Sequence, residues 1–276
     1  MQRLCQALGA SRSSYYEWKK AKTGQPHPQK QSMEQQIIAV FKANKRRYGT
    51  RRIVKELKRR EVKVSRYRAR NTLLKNGLKA IQPRSFVPRT TDSRHPYPIS
   101  VNVLKERGFP SGINEIWVGD ITYIPMVGGA FRYLSVWMDL YSRKIVGWDL
   151  QDHMKESLVI ASLKKALSDR RAVKNLVIHS DRGGQYAGAG FRRILNNHKL
   201  TQSMSDADNP YDNAHMESCF SRFKAELMEG GAFESAEDSQ TEIFEFIEMY
   251  YNPKRLHSSI GYLSPNEFEK QLKPKT

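Results

Sequence analysis

Three acidic residues stand where a carboxylate is costly unless it has work to do. Asp120 lies inside "IWVGDITYIP", a charged residue among apolar and aromatic neighbours. Asp181 closes the apolar run of "LVIHSDRGGQY", and Glu217 lies in "NPYDNAHMESCFSRFKAEL". A buried carboxylate needs a partner or a cation, and no matching buried lysine accompanies the two aspartates. With Glu217 they offer hard oxygen ligands for two Mg²⁺ ions about 4 Å apart, with Mn²⁺ as the expected substitute. One ion would activate a water or a 3′-hydroxyl, and the other would stabilise the leaving oxygen of an in-line phosphodiester displacement. Such chemistry needs positioning and charge stabilisation rather than a covalent nucleophile. Lys224, seven residues after Glu217, is placed to hold a phosphate, and Arg182 is a second candidate for the same contact.

Two other readings of "HSDRGGQY" are weaker. His179, Ser180 and Asp181 are consecutive at a strand end, so their side chains alternate in direction and cannot form a Ser-His-Asp relay. The Gly183-Gly184 pair lacks the lysine and Ser/Thr of a phosphate loop, and reads as a sharp turn away from the strand.

The elements that must position these groups follow from periodicity. Residues 115–125, 130–140 and 143–150 read as three strands joined by tight turns, at Gly128-Gly129 and Tyr141-Ser142. Residues 156–169 read as an amphipathic helix, 173–180 as a buried strand, 187–198 as a helix and "TQSMS" as a short strand. A long helix from about Asn213 then places Asn213, Glu217, Phe220 and Lys224 on one face, beside an apolar stripe of Met216, Phe220, Phe223 and Leu227. Three antiparallel strands, a helix, then strands parallel to the first describe an α/β protein. The expected architecture is a ribonuclease H-like mixed five-stranded sheet flanked by helices, with two more helices after residue 233.

Charge separates this part from what precedes it. Residues 1–112 hold 27 Lys/Arg against 6 Asp/Glu, a net of +21, whereas residues 113–276 hold 20 against 22, a net of −2. A basic module joined to a neutral one points to a polyanion partner, here DNA. Residues 1–24 read as a short helix-turn-helix-like segment. Within 30–82, two basic helices around a turn at 62–65 read as an all-α helix-turn-helix, with Thr50 and Ser65 as N-caps and Gly77 as the C-cap. Arg66, Arg68, Arg70 and Asn71 are the candidate DNA contacts on the second helix, and Arg51 and Arg52 on the first. Residues 83–112, rich in proline, read as a linker, leaving 113–232 as the catalytic core and 233–276 as a helical extension.

Only Cys5 and Cys219 are present, which excludes a disulfide framework and suits a reducing cytoplasm. No apolar run is long enough to span a bilayer.

These motifs also carry a resemblance. "VGDITYI", "YLSVWMDLYSRKIVGW", "HSDRGGQY", "NPYDNAHMES" with Lys224, and "YYNPKRLHSSIGYLSP" occur in order, with 60 residues between Asp120 and Asp181 and 35 between Asp181 and Glu217. From "LGASRSSYYEW" to "YLSPNEFE" the chain resembles the DDE transposases of bacterial insertion sequences, in particular the second-frame (OrfB) protein of the IS-three family. That resemblance implies a retroviral-integrase-like core in which Asp120, Asp181 and Glu217 are the catalytic, metal-binding triad. It also implies 3′-end cleavage at the terminal inverted repeats followed by strand transfer into target DNA, a Lys224 contact to element ends, and a separate first-frame (OrfA) partner. Joining two DNA ends calls for a homodimer or higher multimer, and a nucleoid-associated location follows from the DNA partner. The alternatives are a catalytically silent DNA-binding regulator or assembly protein, and a ribonuclease H-like nuclease without strand transfer.

Overall fold

The computed structural model describes residues 5, 9, 11–23, 28–82, 96–170, 175–206, 214–228 and 231–272. The chain divides into two compact units, Met1–Ala80 and Ile81–Thr276.

The first unit contains α1 (Arg12–Thr23), α2 (Pro28–Ala43), α3 (Thr50–Arg59) and α4 (Arg66–Lys75). Most of the first helix expected within residues 1–10 lies outside the described residues. The Ser11 hydroxyl accepts from the Ser14 N–H at 3.0 Å and so starts α1. Helices α2, α3 and α4 pack together around Ile37, Val40, Phe41, Tyr48, Ile53, Leu57, Ala69 and Leu73. Two cap assignments shift. Gly49, not Thr50, is the N-cap of α3, and it offers no side chain there. Ser65 caps α4 as expected, accepting from the Arg68 N–H at 3.2 Å. Asn76 is the C-cap of that helix, with Gly77 one residue beyond it at φ +64. There the Gly77 N–H bonds to the Leu74 carbonyl and the Leu78 N–H to that of Leu73, closing the end with paired bonds that need the left-handed conformation glycine supplies.

In the second unit, α5 (Val103–Arg107) falls inside the expected linker. Residues 83–95 lie outside the described residues, but the stretch before α5 is anchored to the sheet: the Ser203 hydroxyl accepts from the Val103 N–H at 2.9 Å, and Ser100 donates to Gln202 at 2.9 Å. Five strands follow: β1 (Ile116–Pro125), β2 (Phe131–Asp139), β3 (Ile145–Gln151), β4 (Val177–Ser180) and β5 (Thr201–Met204). The sheet order is β3-β2-β1-β4-β5, with β1 antiparallel to β2, β2 antiparallel to β3, and β4 and β5 parallel to β1. Gly128 and Gly129 make the first turn, both with positive φ. The helices are α6 (Glu156–Arg170), α7 (Gly184–Ala187), α8 (Ala189–Asn197), α9 (Ala214–Met228), α10 (Ala236–Phe244), continued as a wider π turn over Glu245–Tyr251, and α11 (Pro265–Leu272). No described helix is long and apolar enough to cross a membrane.

Strand alternation sorts the core into two layers. Ile116, Val118, Ile124, Leu134, Val136 and Met138 pack with Met216, Phe220 and Phe223 of α9 and with Ile243, Phe246 and Ile247. Trp117, Ile121 and Trp137 pack on the opposite face with Leu158, Leu163, Tyr186 and Phe191.

A polar network ties the last helix to the sheet. Glu269 of α11 accepts from the Ser142 hydroxyl and from Arg170 of α6, each at 2.7 Å, with Lys144 Nζ 3.6 Å away. Burial alone would raise the Glu269 carboxyl, but Arg170, Ser142 and Lys144 more than offset that and hold it below its ordinary 4.5. A depressed carboxylate stabilises the fold fully above its unfolded pKa and loses that contribution as pH falls through the folded one. Glu269→Gln should therefore lower the melting temperature at pH 7 and flatten the fall in stability below about pH 5. Parallel acid limbs for the two proteins, measured by thermal melts against pH, would refute this.

Candidate active site

The register of the sheet brings the two aspartates together. Strands β1 and β4 pair through Ile116↔Val177, Trp117↔Ile178 and Val118↔His179. Asp120 and Asp181 each follow the last pair, Val118↔His179, by two residues, so they lie toward the same end of neighbouring strands. Asp120 also follows the alternation of Ile116 and Val118, which turns it to the α9 side of the sheet, and α9 lies against β1.

The charges respond to one another. Burial holds the Asp120 carboxyl well above the usual carboxylate range, Asp181 and Glu217 push it further, and the Ile121 N–H and Lys224 oppose them. Its Oδ1 accepts from the Ile121 N–H at 2.8 Å. Lys224 is the complement: burial lowers its pKa, and the charge of Asp120 raises it. Asp181 Oδ1 accepts from the Gly183 N–H at 3.0 Å, which fixes the carboxylate at the strand end. Glu217 sits in the first turn of α9, exposed, while Met216, Phe220 and Phe223 of the same helix are buried in the core. The apolar stripe thus orients the helix as expected.

The donor set is all hard oxygen, and Asp120 is a desolvated carboxylate beside two others, which is the setting a divalent cation relieves. Among the described residues, however, no three acidic, histidine or cysteine side chains stand close enough to hold a metal ion as placed. The two aspartates are carried by neighbouring strands of the sheet, whereas Glu217 is carried by α9. Asn213, expected on the Glu217 face, lies outside the described residues.

Arg182 is committed within the protein. Its Nε donates to the Ser205 carbonyl at 2.6 Å, and its guanidinium lies 3.7 Å from Asp206. The Gly183-Gly184 turn also has a different cause from the one expected. Gly183 has an ordinary φ of −62. What it supplies is space, because a Cβ there would stand 2.8 Å from Gln185 Oε1 and 3.1 Å from Asp181 Oδ1. Similarly, a Cβ on Gly119 would overlap the Trp137 ring directly beside Asp120. His179 is a core residue whose Nδ1 pairs with the Ser203 hydroxyl at 2.9 Å, holding β5 to β4.

In the first unit Arg51, Arg66, Arg68 and Arg70 are exposed and Asn71 is half-buried. Arg52 instead serves the fold, donating to the Arg47 carbonyl at 3.2 Å with its guanidinium 5.5 Å from the Tyr48 ring centre.

Two supports of α9 carried no local signal. Arg143, in the β2–β3 turn, meets His215 Nδ1 at 3.0 Å and lies over Phe109. An arginine can only donate, so His215 accepts there and is neutral. Farther along the helix, buried Glu226 takes two bonds from Arg255, at 2.8 and 2.7 Å. Both arginines sit in quoted motifs, but their partners lie 72 and 29 residues away.

Comparison with known proteins finds relatives over nearly the whole chain. Residues 110–210 and 217–272 each match an integrase core domain, and residues 28–86 match an HTH-like domain. The chain is 36% identical over 268 residues to the transposase InsF for insertion sequence IS3A of Escherichia coli (strain K12), covering 96% of this chain and 92% of that protein. It is also 36% identical over 248 residues to the transposase for insertion sequence element IS904 of Lactococcus lactis subsp. lactis (strain IL1403), covering 88% of this chain and 97% of that one. Among solved structures it is similar to a chain of the simian T-cell lymphotropic virus intasome in complex with the PP2A regulatory subunit B56 gamma, with a TM-score of 0.48, 16% identity and coverage of 77% and 68%. The catalytic domain of Mos1 mariner transposase gives a TM-score of 0.42 at 17% identity, with coverage of 54% and 76%.

Proposed function

The chain belongs to the IS3 family of insertion-sequence transposases, and on that premise we propose that Asp120, Asp181 and Glu217 are its catalytic, metal-binding residues. The protein is a transposase with an integrase catalytic core, a polynucleotidyl transferase. The assignment of residues is supported by the parallel pairing of β1 with β4, whose last pair stands two residues before Asp120 and Asp181, together with the charges of Asp181, Glu217 and Lys224 around Asp120.

Each residue has a distinct task. Asp120, on a central strand, and Asp181, pinned by the Gly183 N–H, form the rigid part of the ligand set for two Mg²⁺ ions, with Mn²⁺ as substitute. Glu217 completes the set from α9. The bound ions supply charge neutralisation at the phosphate and lower the pKa of the attacking hydroxyl. Lys224, half-buried beside Asp120, holds a non-bridging phosphate oxygen so that the scissile bond lies in line with the nucleophile. In the first step water attacks the phosphorus at the element end and the 3′ oxygen leaves. In the second, that freed 3′-hydroxyl attacks a target-strand phosphorus and displaces the target's own 3′ oxygen, which leaves as a new 3′-hydroxyl.

In this reading residues 30–82 bind the terminal inverted repeats, 113–232 catalyse, and 233–276 brace α9. The protein works as a homodimer or higher multimer on DNA, with a first-frame (OrfA) protein as partner, at the nucleoid.

A strand-transfer assay with a pre-cleaved 3′-hydroxyl end tests the proposal. Joined products should form with Mg²⁺ or Mn²⁺ and vanish in Asp181→Asn and Glu217→Gln. Joining that survives either change would remove that residue from the site, and hydrolysis without joining would favour a nuclease.

Duplex binding by the full chain should weaken steeply with salt, because phosphate contacts release counterions. Each of Arg66→Ala, Arg68→Ala and Arg70→Ala should reduce the slope of log K against log salt by about 0.9 where that residue touches a phosphate. Slopes unchanged in all three would move the DNA surface elsewhere.

A further inference from the structure

The outward face of α4 carries apolar side chains where a solvated helix would carry charge. Ala69, Thr72 and Leu73 turn inward and are buried. Tyr67, Asn71 and Leu74, at i, i+4 and i+7, form a ridge on the opposite face. Tyr67 is 74% exposed and Leu74 63%, the most exposed large apolar side chains among the described residues of the first unit. Isolated exposed apolar residues need no explanation, but two on one ridge do.

Positive charge borders the ridge on both sides. Arg66 and Arg70, one turn apart, run along one flank, and Arg68 and Lys75, two turns apart, along the other. All four are exposed, and α4 contains no acidic residue. The Arg68 guanidinium reaches Met33 Sδ at 2.9 Å, a weak acceptor that a phosphate oxygen would displace.

An uncharged ridge between two cationic rows matches the cross-section of a DNA major groove. That groove is about 12 Å wide and admits an α-helix, with base edges on its floor and a phosphate backbone along each wall. Cations that meet the walls fix position without reading sequence. The ridge faces the floor, where the C5-methyl of thymine is the apolar group on offer. In a helix-turn-helix the start of the second helix comes nearest the bases, and Tyr67 is the second residue of α4.

We infer that Tyr67 is a specificity-determining residue, whose ring rests on a thymine methyl in the major groove, with Leu74 extending the same apolar contact. The inference rests on the reading of residues 30–82 as the DNA-binding part. It adds which side chains choose the sequence, as distinct from those that hold phosphates.

The test is selection of bound duplexes from a pool with a randomised central segment, by the full chain and by its Tyr67→Ala variant. The wild type should enrich thymine at one position or more. Replacing that thymine by deoxyuridine, which lacks only the methyl group, should weaken wild-type binding about four-fold, the scale of one buried methyl. Tyr67→Ala should bind the selected duplex about five-fold or more weakly, lose the thymine preference there, and bind the thymine and deoxyuridine duplexes equally. Its slope of log K against log salt should match the wild type's, because no charge is removed. A variant that keeps the thymine preference and the deoxyuridine penalty overturns the inference alone. If that variant also sediments without DNA as a smaller species than the wild type, the ridge serves a second copy of the chain instead. A wild type that enriches no sequence, or whose binding is flat with salt, removes the DNA-binding reading and this inference with it.

Discussion

Asp120→Asn should abolish both cleavage and strand transfer while making the metal-free protein more stable. The two effects have one cause. Asp120 is desolvated and faces the charges of Asp181 and Glu217, so its ionised form is held at a cost. Asparagine has the same shape and no charge, and removes that repulsion when no cation is bound. Catalysis needs the charge that folding would rather lose. Metal-ion charge stabilisation is worth several kcal/mol, and each 1.36 kcal/mol is tenfold in rate. A loss of about 10³-fold or more is therefore expected. Duplex binding at fixed salt should be unchanged, because the basic first unit is untouched. A variant that keeps a tenth of wild-type joining, or melts well below the wild type without divalent ions, would contradict this account.

Arg255→Met should be the most destabilising single change outside the apolar core. Arg255 is 2% exposed and Glu226 7%, and the two are joined by a bidentate pair. The guanidinium also donates to His257 Nε2 at 2.9 Å and lies over Tyr251. Removing one partner of a buried pair strands the other charge, at a cost of about 3–5 kcal/mol. At roughly 2–4 °C per kcal/mol for a unit of this size, the melting temperature should fall by about 6–20 °C. The double change Arg255→Met with Glu226→Leu should recover most of that loss, because no charge is then left buried alone. Additive single effects in that cycle would show that the pair is not coupled. Glu226 is on the helix that carries Glu217 and Lys224, so a partial loss of joining activity should accompany Arg255→Met below its melting temperature.

The candidate site could be picked out in the sequence because its two aspartates interrupt apolar runs. Asp120 breaks the pattern of a central strand and Asp181 ends another, and a local misfit of charge in an apolar segment is visible in one dimension. Strand identity was equally plain, since alternation within "IWVGDITYIP" and "FRYLSVWMD" is a local property. Ser65 and the neighbourhood of Gly77 could be read as helix ends for the same reason, whereas the α3 N-cap was misplaced by one residue because Gly49 gives no side-chain signal.

Other features could not be read this way. Ser142 and Glu269 are 127 residues apart, and Arg170 and Glu269 are 99 apart. Nothing local to any of them announces the others. Gly183 looked like a turn residue and turned out to be a spacer between Asp181 and Tyr186, a distinction of volume rather than of φ. Arg182 looked available for phosphate and is engaged by Ser205 and Asp206.

The sequence by itself determined that the protein has a basic helical part and an α/β part, which carboxylates are out of place, and which strands and helix present them. Periodicity, charge and capping act over a few residues, so a linear reading reaches them. Only the tertiary structure decided the β1–β4 pairing that brings Asp120 and Asp181 to the same end of neighbouring strands, and the ion pair that braces α9. Those depend on which side chains fill the same volume, and close packing settles that between residues far apart in the chain.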